Sequence, residues 1–225
     1  MNAKRRTVLH GLVLALAYGA GLVQAAPAAP DARQLTAFFR AVQLDDAKTV
    51  ARMLGTAVNA NERNPLGGEP GIVLALREDA MEVFKVFLAH PGTDLEARAA
   101  NGNTALMMAA FKRKRPAVQA LLDKGAKLNG SSWTALHYAA ASGDDEIVRL
   151  LLARGAQLNP LSPLKSGAYT PLMMAAREGH DGTALLLMEK GADPRLVNSE
   201  GLSAVQLAER AGKPRVAAAI ARAMR

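Results

Sequence analysis

Apolar residues recur along the chain in short blocks that have the spacing of an amphipathic helix. In one block Leu106, Ala109 and Ala110 fall at positions i, i+3 and i+4, and in the next block Val118 and Leu121 continue the same pattern. Blocks with this spacing predict helices that each bury one face. The blocks come in pairs, so the pattern predicts an all-α chain made of successive helical hairpins.

The paired blocks repeat with a nearly constant period. Successive pairs begin 30 to 36 residues apart, and a period of this length is typical of a stacked repeat architecture. The period leaves no room for a second domain, and we predict six units at about residues 34–61, 62–97, 98–129, 130–159, 160–195 and 196–225. Their first helices are predicted to start at Thr36, Pro70, Thr104, Thr134, Thr170 and Ser203.

Residues that start and stop helices stand at fixed places in these units. A threonine before the first helix can accept a hydrogen bond from the backbone of the first turn, as Thr104, Thr134 and Thr170 are placed to do. A Gly-Ala pair follows the second helix in three units. Glycine suits the left-handed residue that ends a helix, and these glycines are Gly125, Gly155 and Gly191.

These motifs resemble those of a known family. Residues 134–139 read Thr-Ala-Leu-His-Tyr-Ala and residues 170–175 read Thr-Pro-Leu-Met-Met-Ala. Both are similar to the Thr-Pro-Leu-His-x-Ala opening of the ankyrin repeat, whereas tetratricopeptide repeats, of nearly the same period, lack the Gly-Ala turn. The resemblance implies an ankyrin-repeat solenoid of about six helix-turn-helix units, with short projecting turns and a concave binding face. It also implies that His137 is structural and hydrogen-bonds a neighbouring turn.

The concave face that the resemblance implies is formed by the first helices and the projecting turns. The position after the paired alanines of the first helix carries Arg77, Phe111, Arg177 and Arg210, and the position before the capping threonine, expected near a turn tip, carries Trp133 and Tyr169. Arginine and aromatic residues supply much of the binding energy at protein interfaces. We predict that these six residues form a partner-binding strip. The alternative is that Trp133 and Tyr169 fold back and cover local apolar surface.

Two further segments have two interpretations each. A basic run replaces the Gly-His pair expected between two helices, and it consists of Lys112, Arg113, Lys114 and Arg115. This basic run could bind the phosphate groups of lipopolysaccharide or an acidic protein patch, or it could be a solvated turn. Residues 160–169 form the longest turn, which is either an exposed recognition finger or a neutral insertion.

The composition narrows the classes of function. The chain has 225 residues, 50% of them hydrophobic, and no cysteine, which allows a sizeable core and excludes disulfides and cysteine-based metal sites. The histidines are too scattered for a metal site, and no motif pairs a nucleophile with a base or cradles a phosphate. We therefore predict no catalytic residue, no metal, no cofactor and no enzymatic activity.

The first residues have the composition of an export signal. Lys4, Arg5 and Arg6 precede an apolar run over residues 11–23, and the small residues up to Ala25 suit cleavage there. We predict a signal peptide over residues 1–25 and a linker over residues 26–33, with an uncleaved membrane anchor as the alternative. The composition suits a bacterial chain sent to the periplasm, and the paired arginines leave the Sec and twin-arginine routes both open.

The net charge completes the prediction of function. The formal charge is +8, and removal of the three basic residues of the signal leaves +5, which is too weak to indicate a nucleic-acid partner. We predict a monomeric periplasmic scaffold, without a transmembrane segment after cleavage, that binds another protein and stabilises, protects or inhibits it. The alternatives are a receptor for an anionic envelope ligand, such as lipopolysaccharide or an anionic lipid, and an immunity protein against a delivered toxin.

Overall fold

The computed structural model describes residues 30–225, so the predicted signal peptide and residues 26–29 of the predicted linker lie outside the described residues. The described part contains twelve α-helices, one short 3₁₀ turn and no β-strand. The helices are α1 (Ala32–Gln43), α2 (Ala47–Met53), α3 (Gly71–Arg77), α4 (Met81–Ala89), α5 (Ala105–Phe111), α6 (Arg115–Asp123), α7 (Ala135–Ser142), α8 (Asp145–Ala153), α9 (Pro171–Glu178), α10 (Asp181–Glu189), α11 (Ala204–Arg210) and α12 (Pro214–Ala223).

The helices form six antiparallel hairpins that stack side by side. Each odd-numbered helix packs on the even-numbered helix that follows it and on the odd-numbered helices of the neighbouring hairpins. The odd-numbered helices, called the first helices below, therefore form one row, and the even-numbered second helices form the other. This arrangement confirms the predicted all-α repeat solenoid. Such stacks gain their stability from contacts within a repeat and between nearest neighbours.

Paired alanines allow the first helices to approach one another closely. In α5, α7 and α9 the pairs are fully buried between neighbouring first helices, and they are Ala109 and Ala110, Ala139 and Ala140, and Ala175 and Ala176. The first helices in the middle of the stack contact one another more extensively than the second helices α6, α8 and α10 do. The stack therefore bends towards the row of first helices, and that row forms the concave side.

Hydroxyl groups cap several first helices. Thr104, Thr170 and Ser203 each accept a hydrogen bond from the backbone N–H three residues later, at 3.2–3.4 Å. The predicted start at Thr36 is wrong, because Thr36 lies inside α1 and its hydroxyl donates to the carbonyl oxygen of Ala32. The N-cap is Asp31, so the end of the predicted linker is already helical.

A glycine at the start of α3 allows a phenylalanine of α4 to fill the core beneath it. A Cβ atom on Gly71 would lie 2.2 Å from the ring of Phe87, so no other residue fits without displacement. Phe87 is fully buried and packs edge-on against Phe38 of α1. The opening of the second unit departs from the usual motif because this ring occupies the space.

Asparagine side chains join the turns of successive repeats. Asn129 donates to the carbonyl oxygen of Gly155 at 2.9 Å and accepts from the N–H of Gln157 at 2.8 Å. Asn61 makes the equivalent pair of bonds to Gly92 and Asp94 in the preceding part of the stack. These bonds fix the register between neighbouring turns. Gly125, Gly155 and Gly191 have φ between 88° and 97° there, which is the left-handed region that favours glycine.

No helix among residues 30–225 has the length and apolar character that are needed to cross a membrane.

Substitution of Ala140 by leucine is expected to destabilise the protein, whereas the same substitution of its neighbour Ala141 is not. Ala140 is fully buried between first helices, whereas Ala141 is partly exposed. Ala140→Leu should lower the free energy of unfolding by about 1–3 kcal/mol through overpacking. Ala141→Leu should change it by less than about 0.5 kcal/mol, because the added atoms enter open space on the concave side and not the packed helix crossing. Urea unfolding measures both values, and equal losses would contradict the close approach of the first helices.

Candidate functional site

Aromatic rings cluster on the concave side of the third, fourth and fifth repeats. The ring of Trp133, just before α7, stacks almost parallel on that of Tyr169 with centroids 6.4 Å apart. It also lies 6.1 Å from the ring of Tyr138 on α7, which in turn meets Phe111 of α5 edge-on at 6.1 Å. The cluster therefore spans three successive repeats.

Arg177 of α9 extends this cluster on the side of the fifth repeat. Its guanidinium carbon lies 5.1 Å from the ring centroid of Tyr169, which is the geometry of a cation–π contact. The same guanidinium pairs with the carboxylate of Glu178 at 2.9 Å. The two contacts hold the side chain across the face of the solenoid, although it is still partly exposed.

A cleft of about 380 Å³ lies between these side chains, and we call it the Ala141 cleft. Position 141 is the small member of a row in which α5 carries Phe111 and α9 carries Arg177. The gap above Ala141 therefore arises because a small side chain stands between two large ones at equivalent positions of successive repeats. The lining residues are Phe111, Trp133, His137, Tyr138, Ala141, Met174, Arg177 and Glu178.

His137 forms the base of the cluster and is fully buried. Its Nδ1 accepts from the N–H of Thr134 at 3.1 Å, and its Nε2 lies 2.9 Å from the carbonyl oxygen of Tyr169. With Nδ1 accepting, the proton is on Nε2, which donates to Tyr169. The ring also packs edge-on against Trp133 at 5.1 Å. His137 thus connects the start of α7 to the turn of the next repeat and supports both stacked rings.

Burial decides the protonation state of His137. Loss of solvation lowers its pKa from 6.5 to about 4, although the carbonyl groups of Tyr169 and Pro160 favour the charged form. In the next repeat the equivalent residue is Met173, whose sulfur accepts from the N–H of Thr170 at 3.4 Å. Methionine therefore takes over the capping contact but supplies no donor to a following turn.

The predicted partner-binding strip comes together only in part. Phe111, Trp133 and Arg177 line the Ala141 cleft, and Tyr169 lies behind them. The other two members do not line it. Arg77 pairs with Glu69 and Glu78, and Arg210 pairs with Glu200.

Tyr169 does not lie at a turn tip as the sequence predicted. It is only 9% exposed, because the part of the long turn around Ser162 and Tyr169 packs on the stack, although the tip is exposed. Its N–H donates to the hydroxyl of Ser162, whose own N–H donates to the carbonyl oxygen of Tyr169, both at 2.9 Å. Tyr169 covers local apolar surface, whereas Trp133 is half-buried and keeps one side in the cleft.

Tyr138 lines the cleft and was absent from the predicted strip. Its ring contacts both Phe111 and Trp133, and its hydroxyl donates to the side-chain oxygen of buried Asn103. The signal was present in the repeat alignment, in which Tyr138 occupies the position of Met108 and Met174. An aromatic residue at a position that is methionine in both flanking repeats changes the surface locally.

The basic run is paired with acids of both neighbouring repeats. Lys114 binds Asp79 of the preceding repeat, and this contact holds the pKa of Asp79 below its usual range. In the following repeat, Arg113 meets Asp144 at 3.4 Å and Arg115 meets Glu146 at 3.0 Å. Much of its positive charge is therefore compensated within the stack.

The long turn is pinned at its base and open at its tip. The backbone N–H of Ser199, in the sixth repeat, donates to the carbonyl oxygen of Gly167 at 2.9 Å. Just before Gly167, the 3₁₀ turn Leu164–Ser166 forms the tip of the long turn and leaves Leu164 75% exposed. The segment therefore forms a short finger whose position is fixed by the next repeat.

Within residues 30–225 no three histidine, aspartate or glutamate side chains come close enough together to hold a metal ion.

A stack of helical hairpins with a concave row of first helices defines a helical repeat protein of the protein-binding class. The chain belongs to the ankyrin repeat family, because the family profile described as "Ankyrin repeats (3 copies)" matches residues 72–162 and 131–198. The matched ranges run from α3 to beyond α10. The hairpins α1–α2 and α11–α12 lie largely outside them and continue the same stack.

Curated proteins with ankyrin repeats are similar to this chain. Transient receptor potential cation channel subfamily A member 1 from Homo sapiens is 30% identical over 161 residues, which cover 68% of this chain and 14% of that protein. SH3 and multiple ankyrin repeat domains protein 1 from Homo sapiens is 36% identical over 129 residues, 55% of this chain and 6% of that protein. Neurogenic locus notch homolog protein 1 from Mus musculus is 31% identical over 124 residues, 54% of this chain and 5% of that protein. The chain thus spans only a small part of each relative.

Acid is expected to destabilise the fold through His137. The unfolded chain takes up a proton near pH 6.5, whereas the folded protein does so only near pH 4. The free energy of unfolding should therefore fall as the pH drops from about 6.5 to 4, by about 3 kcal/mol from this residue alone.

Urea unfolding at several pH values measures this dependence. His137→Met copies Met173 of the next repeat and is the matched variant, because it keeps a capping acceptor but cannot titrate. Its stability should fall less steeply between pH 6.5 and 4. The same slope in both proteins would show that His137 does not control the acid sensitivity.

Proposed function

We propose that this chain is a non-enzymatic scaffold of the periplasm that binds a partner protein on its concave face. Binding would stabilise, protect or inhibit that partner, and neutralisation of a delivered toxin would be one form of inhibition. The single observation that carries the proposal is the cluster of Phe111, Trp133, Tyr138 and Arg177 around the Ala141 cleft. Membership of the ankyrin repeat family supports a protein partner.

The residue types of the cluster favour a protein interface. Tryptophan, tyrosine and arginine are the most frequent residues in the energetic centres of such interfaces. Here they surround one cleft, and Phe111 is 50% exposed beside them. The rings are already held by stacking and by the hydrogen bond of Tyr138 to Asn103. A preorganised surface of this kind loses little conformational entropy when a partner binds.

A receptor for lipopolysaccharide or an anionic lipid is the second candidate. It is favoured by the basic run, in which the side chains of Arg113 and Arg115 are each about 60% exposed. Their pairing with Asp144 and Glu146 weakens the positive potential that a phosphate group would meet. The protein-binding proposal therefore has the stronger structural support.

Capture of a partner should depend on the concave cluster. Immobilised protein is incubated with periplasmic extract of the native organism, and the bound proteins are identified by mass spectrometry. Phe111→Ala combined with Arg177→Ala should reduce capture of the partner by about tenfold or more, because it removes two exposed side chains of the cluster. The matched control is Leu185→Ala combined with Arg149→Ala, which makes the same type of change on the exposed sides of α10 and α8 and should leave capture unchanged.

Salt separates the two candidate functions in this experiment. Binding centred on aromatic rings should largely persist when the salt concentration rises from about 0.1 to about 0.5 M, whereas binding to anionic lipid through the basic run should collapse. Equal capture by the cluster variant, the control and the unsubstituted protein would contradict the concave site.

Export is expected to remove about 25 residues. Cell fractionation with intact mass measurement should find the shortened chain in the periplasm. Arg5→Lys combined with Arg6→Lys decides between the two routes, because the Sec pathway needs only positive charge and the twin-arginine pathway needs the arginines themselves. Intact export would indicate Sec, and blocked export would indicate the twin-arginine route. Leu14→Asp combined with Leu16→Asp should block export by interrupting the apolar run. Full-length protein in the cytoplasm in every case would overturn the periplasmic proposal.

A further inference from the structure

The Ala141 cleft has a shape and a lining that define its occupant more closely than the family does, and the following inference rests on the proposed function. Its volume of about 380 Å³ is large enough to enclose a side chain and part of its backbone. Phe111 and Tyr138 form one wall edge-on, and Met174 lies on the opposite side. Apolar atoms therefore dominate the surface that an occupant would cover.

The charges of the cleft select against a charged occupant. Arg177 and Glu178 both line it, and they are paired with each other at 2.9 Å. A carboxylate in the cleft would approach Glu178, and an ammonium group would approach Arg177. Because the two opposite charges largely cancel, neither occupant would gain enough attraction to offset the loss of its own hydration, and Arg177 is further held by the ring of Tyr169. An uncharged side chain meets neither cost.

The polar groups of the lining are mostly occupied within the protein. The hydroxyl of Tyr138 donates to Asn103, and both ring nitrogens of His137 are hydrogen-bonded. A large apolar side chain, which needs no hydrogen-bond partner of its own, matches this lining.

We propose that the Ala141 cleft is the anchor pocket of the concave face and accepts one large uncharged apolar side chain, such as leucine, methionine or phenylalanine, from the partner protein. The aromatic rings of Phe111, Trp133 and Tyr138 contact that side chain. The pocket exists because Ala141 is small and its two neighbours along the row, Phe111 and Arg177, are large.

The chain contains a single tryptophan, so its indole N–H gives one resonance that reports on the cleft directly. The ¹⁵N-labelled protein is titrated with four probes: N-acetyl-leucinamide, N-acetyl-phenylalaninamide, N-acetyl-lysinamide and the α-amide of N-acetyl-glutamate. The two apolar amides should shift the indole resonance in a saturable way at millimolar concentration. The two charged amides should produce no saturable shift in the same range.

Two variants test whether the cleft itself is responsible. Ala141→Leu fills the gap and should weaken the binding of N-acetyl-leucinamide by about tenfold, since the occupant can no longer bury its side chain there. Gln43→Leu introduces the same side chain at the same repeat position in α1 and should leave binding unchanged. Phe111→Ala removes one wall and should also weaken binding, which provides an independent second test.

Two results would overturn the anchor pocket. One is a saturable shift with N-acetyl-lysinamide and none with the apolar amides, which would identify a cation site. The other is equal binding of the apolar amides by Ala141→Leu and Gln43→Leu. The proposed concave interface has a separate criterion, because it fails if the Phe111 and Arg177 double variant captures the partner normally. If the double variant loses capture of the partner while Ala141→Leu binds the apolar amides as well as Gln43→Leu does, the pocket is rejected and the concave interface is kept.

Discussion

Close contact between neighbouring first helices is the constraint on which this structure depends. Only a very small side chain fits at the crossing, and fully buried alanine pairs such as Ala139 and Ala140 occupy it. Their small size brings the first helices together, bends the stack and creates the concave side. Each residue that follows a pair is then held at a fixed spacing along one face. The site is thus a consequence of backbone proximity, and side-chain variation at one repeating position decides its chemistry.

Much of the fold could be predicted from the sequence, because the period and the apolar spacing are repeated many times. The predicted helix starts and motifs fail where local interactions outweigh the repeat period. Thr36 was aligned by repeat length, but Asp31 and Gln34 form a capping box and start α1 earlier. Gly71 departs from the repeat motif for a reason visible only in three dimensions, namely the ring of Phe87 beneath it.

The candidate site was predictable in part for the same physical reason. Phe111 and Arg177 follow alanine pairs, so the repeat alignment alone places them on one face. Tyr169 could not be placed this way, because its position depends on hydrogen bonds with Ser162 that fold the long turn back. Tyr138 was missed because the predicted strip used only the positions after the alanine pairs and before the capping threonines. The internal pairing of the basic run depends on contacts between repeats that charge patterning does not report.

The aromatic cluster joins three repeats through direct side-chain contact. Solenoids fray from their ends, since a terminal repeat has a neighbour on one side only. Phe111, Trp133 and Tyr169 belong to three central hairpins, the part of the rod with neighbours on both sides. A ligand bound among these three residues would contact all three hairpins and stiffen the middle of the solenoid. Ligand binding would therefore increase the bending stiffness of the solenoid. Conversely, a force that straightens the solenoid would lower its affinity for the ligand.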